Sequence, residues 1–163
     1  GTSFPSRGLA RGYTVRVIDH ATGTLLLPSL PLSSTLTCSA LLASGLGRSA
    51  TIERTATGWT HADLGPQVFL DRIFLVRVSF EGERLDGYTL TDADPRFGSS
   101  FDDWSSKKEL ARRDAHDAWL RQELGDGGGK GPGLSRALPW GEAWSSYDAA
   151  GGAASIGVRF RRP

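Results

Sequence analysis

Three histidines, His20, His61 and His116, are the first candidates for chemistry in this 163-residue chain. His61 and Asp63 stand two apart, which places both on one face of a strand, and His20 or His116 could complete a metal site from another element. Nothing in the spacing requires this, and surface or hydrogen-bonded histidines are the favoured reading. Asp92 and Asp94 with Asp102 and Asp103 resemble an oxygen-rich calcium loop, but the glycine and distal glutamate of an EF-hand are missing. They read as solvated loop carboxylates. No metal and no cofactor is expected.

Cys38 lies near the start of a predicted helix, where the dipole can lower a thiol pKa. A catalytic cysteine also needs a base, and no histidine neighbours it in sequence. A buried apolar filler is the plainer account. Ser44-Gly45 and Ser99-Ser100 lack the Gly-x-Ser-x-Gly elbow of a hydrolase. Gly125-Asp-Gly-Gly-Gly-Lys130 fails as a phosphate loop: Leu124 stands where the first glycine belongs, Gly131 stands where Ser or Thr must bind magnesium, and the segment follows a helix instead of a strand. His116 and Asp117 could serve as acid or base beside a cleft. The simpler expectation is that His116 hydrogen-bonds a loop and Asp117 pairs with an arginine.

Aromatic residues are the unusual feature. Four of the five tryptophans, Trp104, Trp119, Trp140 and Trp144, fall in one short stretch, with Phe101 and Tyr147 beside them. Trp119 is expected to pack a helix onto the last hairpin. Alternation sends Trp140 and Trp144 to one sheet face, and Ala143, Ser145 and Tyr147 to the other. One helix cannot cover both faces, so at least one aromatic set is expected at the surface. Trp140, Trp144, Tyr147, Arg159, Arg161 and His116 form the candidate binding set, because Trp, Tyr and Arg dominate interface hot spots.

These side chains must be positioned by recognisable elements. Residues 1–11 carry no periodic pattern and are expected to form a flexible N-terminal segment, with one α+β domain over 12–163. Tyr13–Ile18 alternates as a half-buried strand does, Asp19–Gly23 supplies a turn, and Thr24–Leu27 returns. Thr37–Ser44 reads as a short helix capped by Thr37. Thr51–Thr55 and Trp59–Leu64 form a hairpin, and Val68–Leu70 a further short strand. Ile73–Phe80 is the clearest strand, pairing back through Glu81–Glu83 with Arg84–Leu90. The main helix runs from a Ser106/Glu109 capping box to Leu124, with Gly125 as its stop and Asp117 spaced to pair with Arg113 or Arg121. Asp126–Gly133 reads as a loop. Trp140–Tyr147 and Ser155–Arg161 make the last hairpin. Helices do not alternate with strands, so the expected architecture is α+β: a single antiparallel sheet of about six to seven strands with one short and one long helix packed on one face.

Composition narrows the functional classes. Hydrophobic residues are 39% and charged residues 23% of the chain, a globular balance. The longest apolar runs, Leu25–Leu27 and Ile73–Val76, are far too short to cross a bilayer. A formal charge of +1 does not favour nucleic acid or anionic lipid. With one cysteine no internal disulfide forms, and no secretory leader pattern is visible. A cytoplasmic protein is the expectation.

Phe101-Asp-Asp-Trp-Ser105, Glu109-Leu110, His116-Asp-Ala-Trp-Leu120 with Gly125, and Trp140-Gly-Glu-Ala-Trp-Ser-Ser-Tyr-Asp148 leading into Gly152-Ala-Ala-Ser-Ile156 carry a resemblance. Over about residues 36–161 the chain is similar to a group of small bacterial α+β proteins without an assigned activity. That resemblance implies a shared fold and supplies no catalytic residues. Similarity to small interaction proteins, including immunity proteins of bacterial toxin systems, rests on size and fold.

The leading expectation is a non-enzymatic protein–protein interaction module, immunity- or inhibitor-like, whose partner is another protein. The alternative is a small enzyme or ligand-binding protein with a pocket between helix and sheet, using His116, Asp117, Tyr147 and Asp148. A third reading, nucleic-acid binding through the terminal arginines, is disfavoured by the near-zero net charge.

Overall fold

The computed structural model describes residues 16–125 and 132–163. The expected segment 1–11 lies outside the described residues, as do the first half of the strand expected over Tyr13–Ile18 and residues 126–131 of the glycine-rich loop. What is visible of the first hairpin keeps its turn: the Asp19 N–H donates to the Thr24 carbonyl at 2.9 Å. Among the described residues its arms meet through an isolated bridge, Ile18 with Leu25, and the Leu26 N–H donates to the Val17 carbonyl at 2.8 Å; Leu25 bridges onward to Leu32. They pack Ile18, Leu25 and Leu32 into the core at 0% exposure.

Two short helices follow, α1 (Cys38–Ala43) and α2 (Gly45–Ser49). The break falls at Ser44, which ends α1 and caps α2 by accepting from the Gly47 N–H. Thr37 caps α1 as its side chain accepts from Ala40.

Strands β1 (Thr51–Arg54), β2 (Trp59–Phe69), β3 (Arg72–Glu81) and β4 (Arg84–Asp92) form an antiparallel meander. Val68–Leu70 is not a separate strand. A bulge between Asp63 and Gly65 lets β2 continue to Phe69 with its register shifted. Two 3₁₀ turns, Pro95–Phe97 and Phe101–Asp103, lead into α3 (Ser106–Leu124). The chain then lays down β5 (Leu134–Leu138), β6 (Gly141–Asp148) and β7 (Ala153–Phe160). The result is a single seven-stranded antiparallel sheet in the order β1-β2-β3-β4-β7-β6-β5. The returning strand β7 pairs with β4, so the helix and hairpins close the sheet around one core.

Alternation explains that core. Phe74, Val76, Val78 and Phe80 of β3 and Ile156, Val158 and Phe160 of β7 face inward at 3% exposure or less. Trp119 of α3 meets Phe74 edge-on, with ring centres 4.8 Å apart.

The start of α3 differs from expectation. Its N-cap is Ser105, which accepts from the Lys108 N–H, and not Ser106. Two consecutive serines make the choice invisible to spacing. Glu109 therefore does not complete a capping box; it is buried and engaged elsewhere. Among the described residues, no helix is long and apolar enough to cross a membrane.

Candidate functional site

Strands β4 and β7 pair only where Gly87–Leu90 meets Ile156–Arg159. Beyond that point they diverge, and backbone groups near the divergence need other partners. Helix α3 supplies them from a polar stripe, Glu109, Arg112 and His116, spaced to share its inward face. The Asp92 N–H donates to His116 Nε2 at 2.9 Å. Arg112 Nε donates to the Asp92 carbonyl at 3.1 Å, and the Ala154 N–H donates to Glu109 Oε1 at 3.1 Å. Arg112 also pairs with Glu109 and donates from Nη2 to the Gly98 carbonyl at 2.8 Å. A buried ion pair is sustained only when its remaining hydrogen-bonding capacity is met, as it is here.

His116 is buried to 1% exposure. Because Nε2 accepts a hydrogen bond, the neutral ring carries its proton on Nδ1, which has no partner among the described residues. Burial pushes its pKa down from 6.5 to about 4; Asp92 opposes that shift, and the Arg112 charge reinforces it. The Asp92 carboxylate is tied to Arg72 at 3.0 Å.

This framework fixes the loop from Ala93 to Ser105. Phe97 is buried beneath the Arg112 and Arg96 guanidinium groups, 5.7 and 4.5 Å from its ring centre. Asp103 accepts from the Ser99 and Ser100 amides at 3.0 and 2.8 Å, and these bonds, that to Ser100 foremost, hold its carboxyl below the usual range. Lys108 Nζ donates to the Asp103 carbonyl at 2.8 Å. Trp104 Nε1 donates to the Gly152 carbonyl at 2.8 Å across to the β6–β7 turn. On this braced loop Phe101 is 96% exposed and Trp104 49% exposed.

The two rings border a groove of about 740 Å³, with Leu75 and Ala153 in its walls and the Glu109–Arg112 pair beneath. Leu75 continues it onto the outer face of the sheet. There the cross-strand pairs Pro66/Leu75 and Val68/Ile73 expose Val68, Ile73 and Leu75 at 63%, 44% and 45%. At the β2–β3 turn Leu70 is 70% exposed and held at φ 49°, a left-handed backbone that costs a non-glycine residue energy.

The residues singled out from sequence fall apart spatially. Trp140 is not a strand residue. It lies in the β5–β6 turn, half-buried over Gly23, with Nε1 donating to the His20 carbonyl at 3.0 Å and its ring 6.1 Å from Phe160. Trp144 lies half-buried across Gly157, on the opposite face from Phe160. The assignment of Trp140 and Trp144 to one face is therefore corrected: a strand beginning at Gly141 releases Trp140 from the alternation. Tyr147 is half-buried opposite Ala154. Arg159 and Arg161 line a separate cavity of about 420 Å³ with Glu142 and Arg162. There Arg159 faces Asp86 at 3.5 Å, and Arg161 donates to the Leu138 carbonyl at 3.4 Å.

His116 does hydrogen-bond a neighbouring segment, but its burial keeps it from touching a partner directly. Asp117 is buried and accepts from the Gly133 N–H at 2.8 Å, while Arg113 pairs with Asp114. His116, Asp117, Tyr147 and Asp148 do not line the groove, nor do they line the arginine cavity. Among the described residues, no three His, Cys, Asp or Glu side chains converge to hold a metal ion. Phe101 and Trp104 are what the alternation argument missed. They sit in a loop, where strand periodicity carries no information about facing.

Fold and groove together define an α+β protein whose single antiparallel sheet carries its helices on one side. A chain of the solved structure "Rhs1-CT in complex with cognate immunity protein RhsI1" shares this architecture, with a TM-score of 0.55 at 14% identity over 88% of this chain and 86% of that one. At that identity the likeness concerns the fold. No protein-family profile and no curated protein sequence matches the chain.

Proposed function

We propose that this chain is a non-enzymatic protein-interaction module of the immunity-like kind, docking a partner protein over the Phe101–Trp104 groove and the adjoining Leu75–Ile73–Val68 strip. One observation carries the reading: Phe101 is 96% exposed on a loop braced by the buried Arg112 at Gly98 and by Trp104 at Gly152. An exposed ring on a preorganised loop loses little conformational freedom on binding, so its burial contributes nearly in full. A large aromatic at the centre of a docking patch contributes about 2–4 kcal/mol. The fold shared with a chain of an immunity-protein complex supports the same direction.

The test is co-expression with the product of the neighbouring gene, followed by affinity capture. The native chain should retain that product, Phe101→Ala and Trp104→Ala should lose it, and Trp140→Phe should keep it. If the neighbour is growth-inhibitory, the native chain should rescue growth and Phe101→Ala should not. Equal capture by the native chain and Phe101→Ala would refute the reading.

A further inference from the structure

The groove is apolar at its mouth and acidic at its edges, and its ionic floor is already satisfied. Arg112 directs its guanidinium to Glu109, the Asp92 carbonyl and the Gly98 carbonyl, which leaves a ligand little to pair with. The Lys108 ammonium is spent on the Asp103 carbonyl. Arg96 is paired with Asp94.

The carboxylates at the edges are differently placed. Asp102, beside Phe101, is exposed and has no cation partner among the described residues. Asp148 stands just outside the groove, at the start of the turn whose residues Ala149–Ala153 form the opposite wall; it is exposed, and its carboxylate accepts from the Ala150 N–H of that turn. Asp103 keeps its charge on a cradle of amides, which pulls its pKa down. Lys107, exposed on the next turn of α3, is the nearest opposing charge in sequence.

Building on the docking reading above, we propose that the partner surface is basic: an apolar side chain that enters between Phe101 and Trp104, flanked by lysine or arginine that meets Asp102 and Asp148. An acidic partner would meet uncompensated repulsion at both edges, whereas a basic one gains attraction and a faster encounter. The same geometry argues against a second copy of this chain binding face to face, because a two-fold contact across the groove would set the Asp102 and Asp148 edges against carboxylate edges of the copy.

The probes are three peptides: acetyl-Lys-Lys-Leu-Phe-Lys-Lys-amide, its counterpart with every Lys replaced by Glu, and the basic peptide with Gly-Gly in place of Leu-Phe. The readout is the Trp104 indole N–H resonance, assigned with Trp104→Phe. At low salt the first peptide should bind about tenfold or more tightly than the other two, and the margin over the Glu peptide should shrink at high salt. Asp102→Asn and Asp148→Asn, both at exposed positions, should each weaken it roughly two- to threefold. Equal affinity of the basic and acidic peptides, a tighter acidic peptide, or no movement of Trp104 at millimolar peptide would overturn the proposal. So would a dimer in sedimentation that shields Trp104. If capture of the partner depends on Phe101 while the acidic peptide wins, the basic-partner inference fails and the docking reading stands. If capture ignores Phe101, the docking reading itself fails.

Discussion

Acidification should unlock the brace beneath the groove through one residue. Folded His116 resists protonation until about pH 4, while in the unfolded chain it titrates near 6.5. Between those values the unfolded state binds more protons than the folded state, so stability falls as pH falls. Above about pH 6.5 both states are neutral at this site and it contributes no slope; below about pH 4 both are charged and the slope ends. A shift from 6.5 to about 4, at about 1.4 kcal/mol per unit, corresponds to roughly 3 kcal/mol lost across the window. The physical event is loss of an acceptor: protonated Nε2 can no longer receive the Asp92 N–H, and a charge appears beside Arg112 in a site with 1% exposure. The assay is urea unfolding at a series of pH values for the native chain and His116→Gln, whose amide oxygen can accept from Asp92 but does not titrate. Subtracting the two curves cancels the carboxylates common to both. The native chain should lose about 3 kcal/mol relative to the variant between roughly pH 7 and pH 4. Parallel curves would show that His116 is not the buried neutral acceptor inferred here.

Three further outcomes follow from the same framework. Arg112→Ala leaves Glu109 buried without its cation and releases Gly98, so it should cost about 3–5 kcal/mol in urea unfolding and shift the tryptophan emission to the red as Trp104 loosens. Leu70→Asn relieves the left-handed backbone with a residue that tolerates it; the thermal midpoint should rise by the equivalent of roughly 1 kcal/mol. Gly157→Ala places a methyl group 2.1 Å from Trp144 Cζ2, so the ring must move; a cost of about 1–3 kcal/mol and a changed Trp144 indole resonance are expected, with partner capture retained.

Much of the scaffold was legible from period and punctuation. The alternation of Ile73–Phe80 and the shared face of Ile156, Val158 and Phe160 mark buried strands, and Thr37 and Gly125 bracket helices as capping chemistry requires. Strand β5 escaped because Leu134-Ser-Arg-Ala-Leu138 is short, adjoins a glycine-rich stretch, and is a strand only because β6 offers an edge. The inward face of α3 escaped because apolar periodicity cannot find a stripe made of Glu109, Arg112 and His116. Those residues are buried because the sheet opens above them, a tertiary fact without a local signature. The expectation of unsheltered rings was argued from the sheet faces of the last hairpin, where Trp140, Trp144 and Tyr147 are half-buried; the most exposed rings lie instead in a loop, where that argument does not reach. They are Phe101 and Trp104. Trp140 and Trp144 lie half-buried across glycines, in places that only pairing register reveals.

The most direct measurement is the affinity of the purified chain for its neighbouring-gene product, titrated calorimetrically for the native protein, Phe101→Ala and Trp140→Phe. The Phe101–Trp104 groove as docking centre predicts a loss of about 30- to 1000-fold in Kd for Phe101→Ala, with Trp140→Phe near the native value. Full affinity in Phe101→Ala would contradict it.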